Sequence, residues 1–184
     1  ILKIDKTSGD GNPEALYTEA ISFRSDFGVN GNALNYAAFG QKRGEETYFL
    51  YEYPKDDDIT SIQKEYIKGY IDDFENTLFG SGTGNYTDYI DVNSFVDFFL
   101  LNELSANPDA YRISTFLHKN RGEKLKMGPI WDFNIAFGND NRSSSEKWMY
   151  KYNLDYPNDL WLVPFWWEKL MADPQFKASI KTRW

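Results

Sequence analysis

The chain has 184 residues, 41% of them hydrophobic and 18% aromatic, which excludes a disordered or low-complexity polypeptide and allows one domain with a sizeable core. A net charge of −8 excludes a general nucleic-acid-binding surface, which needs clustered Lys and Arg to neutralise phosphates. With no cysteine there are no disulfides, zinc–thiolate centres or thiol nucleophiles.

In chain order, "ILKIDK" alternates apolar and polar residues and reads as a strand, which "TSGDGNPE" breaks with Gly and Pro. "AISFRSD" reads as a second strand and "TYFLYEYP" as a third, closed by Pro54, with a Gly- and Asn-rich loop between them. From Asp58, placed as N-cap, the period turns helical through Ile59, Ile62, Tyr66, Ile67, Tyr70, Ile71, Phe74 and Leu78, and Gly80 stops it. The three aspartates before this helix suit its positive end and lack calcium-loop spacing. "GSGTGN" lacks phosphate-loop spacing and reads as a linker.

A second helix is expected from Val92 or Asn93 to about Ala106, apolar on most sides and therefore buried, with Pro108 ending it. "AYRISTFLHKN" and "EKLKMGPI" then form a hairpin that turns at Asn120-Arg121-Gly122. His118, within a strand and without partner ligands, reads as structural. A polar loop follows, and "NDLWLVPFWWEKLMADPQFKASIKTRW" supplies one or two helices with Pro164 near a first turn. "DLWLVPFWW" reads as core packing; the alternative is an exposed sugar-stacking platform. No apolar run reaches the roughly 18 residues of a membrane span, and no signal peptide is visible. The chain starts in mid-strand at Ile1 and stops inside a helical pattern, so residues 1–184 are expected to be one domain belonging to a longer protein.

The candidate chemistry lies at the hairpin. Asp109 precedes its first strand and Asp132 follows its second, and antiparallel pairing puts both at one end of the sheet. Two carboxylates and an Asn form an all-oxygen set that suits Mg²⁺ or Ca²⁺. Protein kinases carry comparable parts as Asp-x4-Asn, a hairpin and Asp-Phe-Gly, where one carboxylate orients the hydroxyl nucleophile and another holds the metal. This chain has Asp109, Ser114 at the Asn position, and Asp132-Phe133-Asn134. Arg142 flanks the site as a candidate phosphate partner, whereas the direction of Arg112 is not readable from a strand pattern.

"LLNELSANPDAYRISTFLHKNRGEKLKMGPIWDFNIAFGN" resembles the CotH family of spore-coat protein H-like atypical kinases, and "YFLYEYPKDDDITSIQKEYIKGYIDDFENTLFG" is similar to that family's strand followed by a long helix. The resemblance implies an α+β, atypical protein-kinase-like fold, with a small antiparallel sheet and catalytic hairpin packed on several helices. It implies Asp109 as catalytic residue, Asp132 as metal ligand with Asn134 and Ser114 beside it, and Trp131 packing behind Asp132. Ser114 stands where the family usually has Asn, and Asn134 where it often has Asp. The implied activity is transfer of a phosphoryl group from ATP, with Mg²⁺ (or Mn²⁺ or Ca²⁺), to Ser or Thr of a protein acceptor, at a bacterial cell envelope or outside the cell. The family's nucleotide-phosphate Lys lies upstream of the strand at which this chain begins, so residues 1–184 would be the carboxy-terminal part of the kinase domain and inactive alone. The rival reading is a non-catalytic bacterial surface module that binds a glycan or a protein through its aromatic face.

Overall fold

Alternation in "ILKIDK" produces β1 (Leu2–Ile4), whose Leu2 and Ile4 are buried while Lys3 lies at the surface edge. The computed structural model describes residues 1–7, 16–40 and 42–184; beyond Thr7, the break expected over "TSGDGNPE" falls outside the described residues. Four further strands follow: β2 (Ser22–Arg24), β3 (Tyr48–Tyr51), β4 (Thr115–His118) and β5 (Lys126–Met127). They form one antiparallel sheet in the order β2-β3-β1-β4-β5. β1 is the central strand, pairing Leu2 with Tyr51 on one side and with Leu117 on the other. It thereby joins the β2–β3 pair to the β4–β5 hairpin.

Six α-helices among the described residues complete the expected α+β architecture: α1 (Ser61–Leu78), α2 (Tyr86–Tyr89), α3 (Val92–Leu104), α4 (Tyr152–Asp155), α5 (Trp166–Ala172) and α6 (Pro174–Arg183). Two boundaries differ from the sequence reading. The N-cap of α1 is Thr60, not Asp58, because Thr60 and Gln63 form a reciprocal capping box. Asp58 is used one turn earlier, its amide donating to Lys55. Directly after the linker "GSGTGN" comes the unforeseen short helix α2, started by a second capping box between Asn85 and Asp88.

The buried face of α3 carries Phe95, Val96, Phe98, Phe99 and Asn102. Its burial is one-sided near the C-terminus, where Leu101 and Leu104 are exposed. The helix ends at Leu104 instead of Ala106, whose φ of 47° is incompatible with a further helical turn.

From Leu162 onward "DLWLVPFWW" is core, as its composition suggested, while Leu160 is exposed. Leu162, Val163, Phe165, Trp166 and Trp167 are all buried. Trp166 stacks on Phe49 of β3 with ring centroids 5.4 Å apart, and Trp167 lies 4.4 Å from Tyr111. Pro164 directly precedes Phe165, the N-cap of α5, where its missing N–H removes no helical hydrogen bond. His118 has the structural setting expected of it: half-buried in β4, its Nδ1 lies 3.1 Å from the carbonyl of Gly128.

Candidate active site

The site is assembled at the C-terminal end of α3. Beyond Ala106 the chain turns through Asn107 and Pro108, and this turn is held from inside: Asn102 Nδ2 donates to the Phe98 carbonyl, Asn107 Nδ2 donates to Asn102 Oδ1, and the Asp109 amide donates to Asn107 Oδ1 at 3.2 Å. Asn102 and Asn107 are buried and their amides are used in this chain, as buried polar groups require. The result is a fixed ledge that carries Asp109.

Arg112, whose orientation the sequence left open, is buried beneath that ledge at 1% exposure. Its Nε donates to the Pro108 carbonyl at 2.7 Å, one terminal nitrogen donates to Asp109 Oδ1 at 2.9 Å, and the other reaches Asp159 Oδ2 at 3.3 Å and the Trp161 carbonyl at 3.0 Å. The guanidinium also lies over the Tyr152 ring, 4.1 Å from its centroid. A buried cation is tolerable only with this degree of pairing. Burial would raise Asp159, but hydrogen bonds from Tyr152 and the Trp161 amide, together with Arg112, hold it below the ordinary carboxylate range.

Asp109 Oδ1 is therefore occupied, while Oδ2 has no hydrogen-bond partner among the described residues. Burial pushes the Asp109 carboxyl upward; Arg112, Arg142 and Lys6 pull it back, and the Asp132 charge adds to the rise.

Asp132 arrives from the other side of the hairpin. The register Leu117↔Met127 sets the start of β4 and the end of β5 at one rim, and the Gly128 amide extends the ladder by donating to Phe116. Ser114 Oγ then donates to Asp132 Oδ2 at 3.2 Å. Both residues have positive φ, 50° for Ser114 and 62° for Asp132, as does Tyr111 at 71°. Non-glycine residues in that region each cost on the order of 1–3 kcal/mol and persist only where surrounding contacts enforce them. The enforcing contact at Tyr111 is visible: it is fully buried and donates to Glu103 Oε1 at 2.8 Å, while Glu103 also accepts the amides of Met149 and Tyr150.

The structure thus brings Asp109, Ser114 and Asp132 to one rim. Asn134, two residues beyond Asp132, is exposed, and its carbonyl accepts from Asn139 Nδ2. Trp131 does not pack behind Asp132 but is 61% exposed. The core beneath the site is already filled by Tyr111, Phe98, Phe99 and Trp167, so the indole has no cavity to enter. Arg142 is engaged in a two-pronged pair with Asp140 at 2.8 and 3.0 Å, and its hydrogen bonds hold the Asp140 carboxyl down at about 2. Sequence reasoning missed Arg112, Asp159 and Tyr152. Only Arg112 carried a signal, since an Asp-x-x-Arg spacing in a tight turn lets the side chains meet.

No group of three or more His, Cys, Asp or Glu side chains among the described residues forms a metal cage. The donor chemistry nonetheless fits Mg²⁺, which usually takes one or two protein carboxylates and completes its shell with water and phosphate oxygens. Asp132 is an exposed carboxylate with a hydroxyl beside it, and Asp109 presents one uncommitted oxygen. A family model described as CotH kinase protein matches residues 15–184. None of the curated proteins and none of the solved structures matches the chain.

Proposed function

The chain belongs to the CotH kinase family, and from that membership and the meeting of Asp109, Ser114 and Asp132 we propose that the full-length protein transfers the γ-phosphoryl group of ATP to Ser or Thr hydroxyls of a protein acceptor, outside the cell or at a bacterial cell envelope.

The observation that carries the reading is the division of labour at Asp109. Arg112 fixes one carboxylate oxygen and leaves the other directed by a rigid ledge. That free oxygen orients the acceptor hydroxyl and takes its proton as the new oxygen–phosphorus bond forms and the bond to the ADP oxygen breaks. Asp132, with Ser114 donating to it and Asn134 two residues on, is the set that would hold Mg²⁺ or Mn²⁺. The ion, when bound, neutralises charge on the phosphate oxygens.

The rival surface-module reading rested on "DLWLVPFWW" as an aromatic face. Leu162, Val163, Phe165, Trp166 and Trp167 lie in the core, so these side chains are not offered to a glycan. The test is radiolabel transfer from ATP by the full-length protein with Mg²⁺ or Mn²⁺, beside Asp109→Asn and Asp132→Asn. Transfer by the wild type alone is expected; equal incorporation by all three removes the assignment.

A further inference from the structure

The rim that carries Ser114 and Asp132 continues across the sheet. Ile4 pairs with Thr115, so β1 ends at the edge where β4 begins, and the pairing of Lys3 with Leu50 puts the start of β3 at that edge too. Lys6, just past β1, and Arg43, in the turn before β3, therefore lie along the same rim. In the order β3-β1-β4-β5 they stand on the side of Ser114 opposite to Asp132. Lys6 is close enough to Asp109 for its charge to pull that carboxyl down.

Both cations converge on Trp161. Lys6 Nζ lies 5.0 Å from the indole centroid and the Arg43 guanidinium 5.6 Å. The indole is fixed to the end of β1: its Nε1 donates to Tyr17 Oη at 3.1 Å, and Tyr17 Oη donates to the Asp5 carbonyl at 2.6 Å. The Trp161 carbonyl accepts from Arg112, the residue that also holds Asp109. The Gly44 amide, donating to the Leu160 carbonyl, anchors the Arg43 turn to the same segment. The carboxylates around the pair are each engaged by another cation: Asp5 by Lys3 at 2.6 Å, Glu46 by Arg24 at 2.9 Å and Asp159 by Arg112 at 3.3 Å. Lys6 and Arg43 have no carboxylate partner among the described residues. In a chain with 28 acidic and 20 basic side chains, such a meeting of unneutralised cations marks a place for an anion.

We propose that Lys6 and Arg43, seated on Trp161, bind an acidic side chain of the acceptor protein close in sequence to the phosphorylated Ser or Thr; the inference rests on the kinase reading for the role of Asp109. The rim order decides between acceptor and nucleotide. In-line transfer puts the nucleotide, with the ion on Asp132, and the acceptor hydroxyl on opposite sides of the transferred phosphorus. The side of Asp109 away from Asp132 is the acceptor's, and Lys6 and Arg43 stand there. An extended acceptor advances about 3.3 Å per residue, and strands are about 4.8 Å apart, so an acidic residue within three positions of the serine reaches from Ser114 to the cations beyond β1. Stacking on the indole holds both charged groups in place while leaving them open to a carboxylate.

The experiment uses the full-length protein and two fluorescein-labelled Ser-centred peptides, one with Glu on both sides of the serine and one with Gln there. Polarisation titrations without ATP are expected to show the Glu-flanked peptide binding about tenfold more tightly at low salt, with the difference shrinking as salt is raised. The preference is expected to fall to about threefold in Lys6→Gln, to vanish when Arg43→Gln is added, and to persist in Lys177→Gln, which removes the same charge from an exposed position on α6. Lys6 is exposed, so Lys6→Gln keeps the test valid should Arg43→Gln disturb folding. Charge reversal supplies the matching gain: Lys6→Glu is expected to bind a Lys-flanked peptide more tightly than the wild type does. Equal binding of the Glu- and Gln-flanked peptides, retention of the preference in the double variant, or no peptide binding overturns the proposal. So does weaker binding of ATP with Mg²⁺ in Lys6→Gln beside an unchanged peptide preference, which assigns the cations to the nucleotide. Phosphoryl transfer is measured separately. Selective binding without transfer removes the kinase reading and leaves the acidic-peptide site, while transfer without a preference for acidic flanks removes the site and leaves the kinase.

Discussion

Arg112 donates to Asp109 Oδ1 at 2.9 Å from a position that is itself 1% exposed, so the orientation of the candidate base is set from inside the protein. The same guanidinium reaches Asp159, the carbonyls of Pro108 and Trp161, and the face of Tyr152, and thus ties the ledge that carries Asp109 to the segment before α5. Arg112→Ala leaves two carboxylates without their cation and opens a cavity, a combination worth about 3–5 kcal/mol. Arg112→Lys keeps the charge but cannot reproduce the planar fork, so it recovers only part of that loss. Urea unfolding of the three proteins reads both effects. An Arg112→Ala variant within about 0.5 kcal/mol of wild type would show that the network contributes little to folding.

At the rim, Ser114 and Asp132 allow charge and conformation to be separated. Asp132→Asn keeps a side chain suited to a φ of 62° and removes only the charge, so stability is expected to hold while Mn²⁺ binding, read by electron paramagnetic resonance, is lost. Ser114→Asn places at φ 50° a residue that tolerates the left-handed region better than Ser does, and supplies an amide oxygen in place of the hydroxyl. A gain of a few tenths of a kcal/mol with retained Mn²⁺ binding is expected. Loss of stability in Ser114→Asn would mean that the hydroxyl's bond to Asp132, not the backbone, dominates at this position.

Much of this arrangement was legible because it follows from local pattern. The alternation in "ILKIDK" and the aromatic run "TYFLYEYP" gave strands, and antiparallel pairing alone put Asp109 and Asp132 at one rim. What escaped depends on tertiary partners. Nothing in the order of residues says that Arg112 points inward, because its partners Tyr152, Asp159 and Trp161 come from a segment some forty residues later. Trp131 failed for the complementary reason: an indole beside a site is expected to pack, but Tyr111 and Trp167 already fill the space below.

The start of α1 gives a clean comparison of two adjacent cap candidates. Thr60 accepts from the Gln63 amide, and Gln63 Oε1 accepts from the Thr60 amide at 2.9 Å. Thr60→Ala removes one half of the box and is expected to cost about 1 kcal/mol, whereas Asp58→Ala, outside the helix, should cost no more than a few tenths. Thermal unfolding of both variants tests this, and a larger loss from Asp58→Ala would return the cap to that residue.

Glu75, on α1, is a buried carboxyl with no cation bonded to it. Ser25 Oγ lies 2.8 Å from both of its oxygens, and Trp166 Nε1 donates at 2.8 Å. Burial pushes its pKa up to about 8; Ser25 and Trp166 pull against this, while Asp72 and Asp26 add to it. The folded protein therefore keeps the Glu75 proton at pH values where the unfolded chain, at its ordinary 4.5, has lost it. The stability from this group is fully present below about pH 4.5 and falls as pH rises toward 8, by up to about 1.4 kcal/mol per pH unit, then levels off. Glu75→Gln fixes the neutral form and keeps donors and acceptors for Ser25 and Trp166. Its stability relative to wild type should accordingly grow between about pH 5 and pH 8, measured as the difference between urea unfolding curves, since other raised carboxyls cancel in that difference. Parallel pH profiles for the two proteins would mean that Glu75 is ionised in the fold, with its charge stabilised by the Ser25 and Trp166 hydrogen bonds alone.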